Sequence, residues 1–245
     1  MTEPTWRVVD EGALGQAAAD ELVRAVSKSI AQRNHCSMVL AGGNTPRELY
    51  SQLASDRYRS LIDWSRVSFF WSDERCVPPD HPASNYNMAR ETLISQVPVA
   101  PNSVHRIRGE LPPEEAATLY TEELAAFFHG SGPRFDLILL GMGADGHTAS
   151  LFPHTPDLTT CNRYVVPTES PLPPHQRITL TLRSINAAEN VIFLVQGRSK
   201  AQTLARVRAA TEGRETEPLP ATLVSPTTGR LLWLVDSAAA GESSR

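Results

Sequence analysis

The chain has 245 residues, 41% of them hydrophobic, and its 23 basic and 27 acidic side chains leave a formal net charge of −4. That balance suits a well-buried core, excludes a disordered chain, and offers no basic stripe for nucleic acid. No apolar run approaches the roughly 18 residues of a membrane helix. The first residues lack the basic and apolar regions of a secretory signal. Three cysteines without metal-type spacing, Cys36, Cys76 and Cys161, point to reduced thiols in a cytoplasmic protein.

Short apolar runs alternate with helical patterns, which predicts repeated β–α units and a mostly parallel sheet. Trp6–Val9 reads as a first strand. Leu14, Ala17, Ala18, Leu22, Ala25, Val26 and Ile30 recur at helical spacing and predict a helix over 13–32. Ser37–Ala41 is a buried strand ending in Gly42-Gly43, and a helix starts near Pro46. Val67–Trp71 is the next strand, followed by a polar loop and a helix over 84–94. Residues 97–113 form a connection, and Ala117, Tyr120, Leu124, Phe127 and Phe128 mark another helix. Phe135–Leu140 is a buried strand ending in a second glycine turn. A proline-rich loop spans 167–174. Strands near 177–182 and 191–196, a helix near 199–210 and a last strand at 231–235 follow. One α/β domain over 1–237 is expected, with a frayed tail over 238–245.

Ligands of open α/β sheets bind beyond the carboxyl ends of the strands, and three such ends carry unusual polar sequence. At Gly42-Gly43-Asn44-Thr45-Pro46, Thr45 reads as an N-cap, Pro46 as the first helical residue and Glu48 as the partner of a capping box. Free N–H groups at that helix start suit a phosphate, or the segment is simply a tight turn. At Asp73-Glu74-Arg75, two carboxylates and an arginine follow a strand directly. They form either a self-paired solvated cluster or part of a site, and Ser84 or Asn85 caps the helix that follows. At Gly141–His147, three glycines let a turn aim side chains, and Asp145 beside His147 orients an imidazole as a base. Arg177 opens a strand and Lys200 a helix, each either a surface charge or a cation at the site. Lys28 and Lys200 are the only lysines, in a chain that otherwise uses arginine.

These segments together resemble the 6-phosphogluconolactonases, within the glucosamine-6-phosphate isomerase/deaminase-like group. The matching pieces are AGGNTP (41–46), WSDERCVP (71–78), SNYNMAR (84–90), LLGMGADGHTASLFP (139–153), RITLT (177–181), GRSKAQTL (197–204) and LPATLV (219–224). The resemblance implies a three-layer αβα sandwich, Rossmann-like and of the NagB/RpiA/CoA-transferase type. It implies hydrolysis of 6-phospho-D-glucono-1,5-lactone with no cofactor and no metal. By position it makes His147 the general base and places Asp73 and Arg75 in the active site. Gly42, Gly43, Asn44 and Thr45 become the phosphate loop, with Arg177 and Lys200 as its cations and Asn85 as a further substrate contact. Asp145 would fix the imidazole, and Arg75 with amides of the 141–146 turn would stabilise the oxyanion. The expected partner is a small phosphorylated lactone, not nucleic acid or membrane, bound by a monomer or weak homo-oligomer.

Two other readings fit the same group. Its deaminases carry a glutamate five residues after the histidine, where this chain has Phe152. A non-catalytic sugar-phosphate sensor would keep the glycine loop and cations, but the intact Asp73, Arg75 and His147 set argues against it.

Overall fold

Apart from the largely exposed edge strand at Thr5–Val9, the apolar runs become the strands of one parallel sheet because they are buried on both faces and need helices to cover them. In the computed structural model, residues 3–153, 155–156, 161–214 and 218–242 are described. The chain runs β1 (Thr5–Val9), α1 (Leu14–Arg33), β2 (Cys36–Leu40), α2 (Asn44–Ala54), α3 (Asp56–Arg59), β3 (Val67–Trp71) and β4 (Asp73–Arg75). It continues through α4 (Asn85–Thr92), α5 (Pro113–Phe127), β5 (Leu137–Gly141), β6 (Val165–Glu169) and β7 (Gln176–Leu180). The last elements are α6 (Leu182–Ile185), β8 (Asn190–Val195), α7 (Ala201–Thr211) and β9 (Arg230–Asp236). Six strands form the main sheet in the order β1-β9-β8-β5-β2-β3, every pair parallel. Helices flank it, α1 for instance contacting β2, β8 and β9. This is the mostly parallel α/β architecture that the sequence predicts.

Chain order within the sheet explains where a crevice opens. After β2 the chain moves outward to β3, and after β3 it crosses to the other side of β2 and lays down β5. The connections leaving β2 and β5 therefore diverge, and a topological switch point lies between the two strands. Both glycine turns, at Gly42 and at Gly141, begin there.

Buried tyrosines pin the strand ends. The Tyr50 hydroxyl on α2 accepts from the Ala41 N–H and donates to the Ala41 carbonyl, both at 2.9 Å. On α5, Tyr120 does the same for Trp71, at 3.0 and 3.1 Å. Each hydroxyl stands in for the neighbouring strand that the last residue lacks.

Four expectations need correction. The polar stretch after β3 is not a loop: Asp73–Arg75 is a strand paired antiparallel to β7, in a second sheet of order β4-β7-β6. The proline-rich loop begins later than expected, because Val165–Glu169 is β6. Pro167 is accommodated there because β6 is an edge strand, where a missing N–H costs no ladder bond. Helix α2 begins at Asn44 with Gly43 as its cap, so Thr45 and Glu48 form no capping box and Pro46 is the third helical residue. Gly43 has φ 102°, a conformation that favours glycine over any capping side chain. The frayed tail starts too early, since Ala238 and Ala239 are buried and the Ala239 N–H donates to Asp236 Oδ1 at 2.7 Å. Residues 243–245 of that tail lie outside the described residues.

Candidate active site

A cavity of about 520 Å³ occupies the switch point. Gly42–Thr45, Asp73, Arg75, Asn85, His147 and Lys200 all line it. Strands β2, β3 with β4, and β5, together with the segment after β8, each deliver one wall.

The first wall is the start of α2. With Gly43 as cap, the N–H groups of Asn44 and Thr45 precede the first intrahelical donor, Arg47, which bonds the Gly43 carbonyl at 3.2 Å. These amides and the positive end of the helix make a cradle for an anion. A Cβ at Gly42 would stand 2.0 Å from Asn85 Oδ1, so a side chain there would displace the Asn85 amide. Lys200 lines the same cavity. It ends a short 3-10 turn after Gly197, whose N–H is held by both oxygens of Asp236 at 3.0 Å.

The second wall is the turn after β5. His147 Nδ1 lies 2.6 Å from Asp145 Oδ1, and the same oxygen accepts from the His147 N–H at 3.2 Å. Burial pushes the Asp145 carboxyl up, but His147 beside it, with those hydrogen bonds, pulls it below the usual carboxylate range. An ionised carboxylate at Nδ1 selects the tautomer with hydrogen on Nδ1, leaving the lone pair on Nε2. The turn is fixed around this pair. Gly143 N–H donates to the His147 carbonyl at 2.9 Å, and Gly146 N–H to the Gly143 carbonyl at 3.1 Å. Ala221 N–H reaches the Gly146 carbonyl at 3.0 Å, and the Thr203 hydroxyl donates to Ala144. The Gly143 and Gly146 amides, two of those expected to face an oxyanion, are therefore already committed within the turn. Phe152 packs on the imidazole, with ring centroids 4.8 Å apart.

The third wall is β4, whose residues alternate across the strand. Asp73 and Arg75 face the cavity. Asp73 Oδ2 accepts from Ser150 at 2.6 Å, and Asn85 Nδ2 reaches Oδ1 at 3.3 Å. Arg75 Nη1 donates to the Ala83 carbonyl at 2.6 Å, while its Nε is buried without a partner among the described residues. Glu74 points the other way, into the start of α4, capped also by Ser84, whose hydroxyl accepts from Asn87 N–H. Burial pushes the Glu74 carboxyl up to about 7 against the pull of three backbone N–H donors.

All the residues expected in the site line this cavity except two. Asp145 bonds His147 Nδ1 without lining the cavity. Arg177 sits beside Arg75 on the paired strand β7, 6% exposed, and does not line the cavity. Its Nη2 approaches Ser170 and Leu172 at 3.4 and 3.5 Å, and its Nη1 is buried without a partner among the described residues. Desolvation, then the Arg75 charge, lowers its pKa. The sequence reading missed Glu48, Gln196 and Ser150. Glu48 and Gln196 line the cavity, with Gln196 Nε2 3.4 Å from Glu48 Oε2. Ser150 lies within the 139–153 motif, and its nearness to the histidine was a usable signal. For Gln196, only its place at a strand end was. Among the described residues no group of three His, Cys, Asp or Glu could hold a metal ion, and no helix is long and apolar enough to cross a membrane.

The profile of the glucosamine-6-phosphate isomerases/6-phosphogluconolactonase family matches residues 9–233. The chain belongs to this family. Members similar to it include a 6-phosphogluconolactonase of Synechocystis, 43% identical over 90% of this chain and 89% of the relative. Another is the Homo sapiens 6-phosphogluconolactonase, 42% identical over 91% and 90%. The solved 6-phosphogluconolactonase of Trypanosoma brucei superposes with a TM-score of 0.85 at 30% identity, covering 98% of this chain and 99% of that one. The solved structure of a monomeric glucosamine-6-phosphate deaminase shares the fold with a TM-score of 0.80 at 20% identity.

Proposed function

We propose that the chain hydrolyses 6-phospho-D-glucono-1,5-lactone to 6-phosphogluconate, with His147 as general base. The observation that supports this reading is that His147, paired with Asp145, lines the same cavity as the Gly42–Thr45 turn and Lys200. The names of the family members above support the substrate. Nε2 of neutral His147 takes a proton from water, and the hydroxide adds to the C1 carbonyl. Arg75 stabilises the alkoxide that forms, an interaction worth about 10²–10³ in rate for one such donor. The imidazolium then returns its proton to the ring oxygen as the C1–O bond breaks. Asp73, held by Ser150 and Asn85, accepts a hydrogen bond from a sugar hydroxyl. The phosphate is remote from the reaction, so its binding orients the lactone.

Phe152 favours this reading over a deaminase. Ring opening and C2 proton transfer need a second carboxylate near the histidine, and an aromatic ring occupies that place. The test is a coupled assay with freshly made lactone, spontaneous hydrolysis subtracted. His147→Ala should lose about 10²–10⁴ in kcat with 6-phosphogluconate binding nearly unchanged. Wild-type turnover in the variant, or ammonia release from glucosamine 6-phosphate by the wild type, overturns the assignment.

A further inference from the structure

Glu74 lies between two cavity-facing residues, yet the reaction above does not use it. It is 2% exposed. Its Oε1 accepts from the N–H groups of Arg75 and Asn85, both at 2.7 Å. Its Oε2 accepts from the Tyr86 N–H at 2.8 Å and the Ser84 hydroxyl at 3.1 Å. Ser84 Oγ in turn accepts from Asn87 N–H at 3.1 Å. A carboxylate offers about four lone-pair sites, and here all of them are used.

This arrangement reaches further than a helix cap. Asn85, the first residue of α4, sends its side chain back to β4, donating to the Asp73 carbonyl at 2.9 Å. The same side chain fills the space against Gly42, leaving no room there for a Cβ. One amide thus touches both the Asp73 wall and the phosphate turn. Its backbone N–H is held by Glu74.

Resting on the lactonase reading, we propose that Glu74 is a positioning residue. By binding the first turn of α4 it fixes Asn85, and through Asn85 it sets the distance between the Asp73–Arg75 wall and the phosphate turn at Gly42. A neutral amide cannot replace it. Glutamine has one oxygen, and its NH2 would meet at least one backbone N–H donor, so at least one of the four hydrogen bonds must break. The start of α4 then shifts and carries Asn85 with it.

The experiment is a double-mutant cycle of Glu74→Gln and Asn85→Ala, read by kcat and KM for the lactone and by calorimetric affinity for 6-phosphogluconate. A displacement near 1 Å at a site can cost about 10²-fold, so Glu74→Gln should lose up to that in kcat/KM and bind 6-phosphogluconate more weakly. If Glu74 acts through Asn85, the double variant is no worse than Asn85→Ala alone. A folded Glu74→Gln with unchanged kcat, KM and affinity overturns the proposal, as does an effect that multiplies with that of Asn85→Ala. A carboxylate that only anchored the helix would lower the melting temperature and leave those readouts untouched. Should Glu74→Gln not fold, Ser84→Ala removes one donor, keeps the carboxylate and enters the same cycle. A several-fold loss absorbed by Asn85→Ala supports the proposal, and none, or a multiplying one, overturns it. Should the wild type not hydrolyse the lactone, the proposed function fails by itself, and the 6-phosphogluconate affinities still decide the role of Glu74.

Discussion

Adding a single methyl group at Gly143 should disable the reaction without harming the fold. Gly143 has no positive φ, so alanine is compatible with its backbone. The obstacle is the dyad itself. A Cβ there would lie 2.1 Å from His147 Nδ1, 2.3 Å from its Cε1 and 2.4 Å from Asp145 Oδ1. Those distances fall roughly 1 Å short of ordinary contact, so the imidazole, the carboxylate or both must move by about that much. A misplacement of this size costs about 10²-fold in rate. The anion cradle lies on another wall, so Gly143→Ala should lose about 10²-fold in kcat while 6-phosphogluconate affinity stays within about twofold. Turnover is read with fresh lactone against the spontaneous rate, and folding by thermal melting. Wild-type kcat in a folded Gly143→Ala would show that turnover does not need the observed His147–Asp145 geometry, and the base assignment would lose its structural footing.

If Lys200 binds the remote phosphate as proposed, Lys200→Ala should raise KM for the lactone with little change in kcat; equal 6-phosphogluconate affinity in variant and wild type would remove it from the cradle. Tyr50→Phe leaves the N–H and carbonyl of Ala41 unpaired and should cost about 2 kcal/mol, or roughly 4–8 °C in Tm at this length, with a raised KM as the Gly42 turn loosens. An unshifted melt would contradict the pinning role. The Glu74 carboxyl is raised from an ordinary 4.5 to about 7. Between those values the folded state holds a proton that the unfolded state has released, so this group makes unfolding easier as pH rises from about 4.5 to 7. Urea denaturation at several pH values should show that slope in the wild type and a flatter one in Glu74→Gln; identical slopes would place the carboxyl near its unfolded value.

The main sheet was legible because five-residue apolar runs buried on both faces have few alternatives to a parallel strand. The Gly42 and Gly141 turns were legible because glycine clusters at strand ends have a physical purpose there. The second sheet was not. Asp73-Glu74-Arg75 has no apolar alternation, and its strand conformation comes from pairing with β7, a hundred residues away. Pro167 spoke against a strand, and only its edge position makes β6 acceptable. The capping box failed because Thr45 and Glu48 fit the local pattern, while Gly43, with its positive φ, took the cap. Arg177 was placed correctly on its strand, but which way a strand residue faces depends on the partner sheet, and that sheet was invisible in the sequence.

The shortness of β4 gives it an unusual vulnerability. Three consecutive side chains are sorted by strand parity alone, the outer two toward the cavity and the middle one toward a helix. Deleting or inserting one residue before Asp73 would do more than shorten a loop. It would swing an acid made for a dry, fully bonded niche into the cavity, and into that niche it would drive Arg75 on deletion or Asp73 on insertion. Substitution here can be graded, but a change of length would reverse the polarity of the whole wall at once.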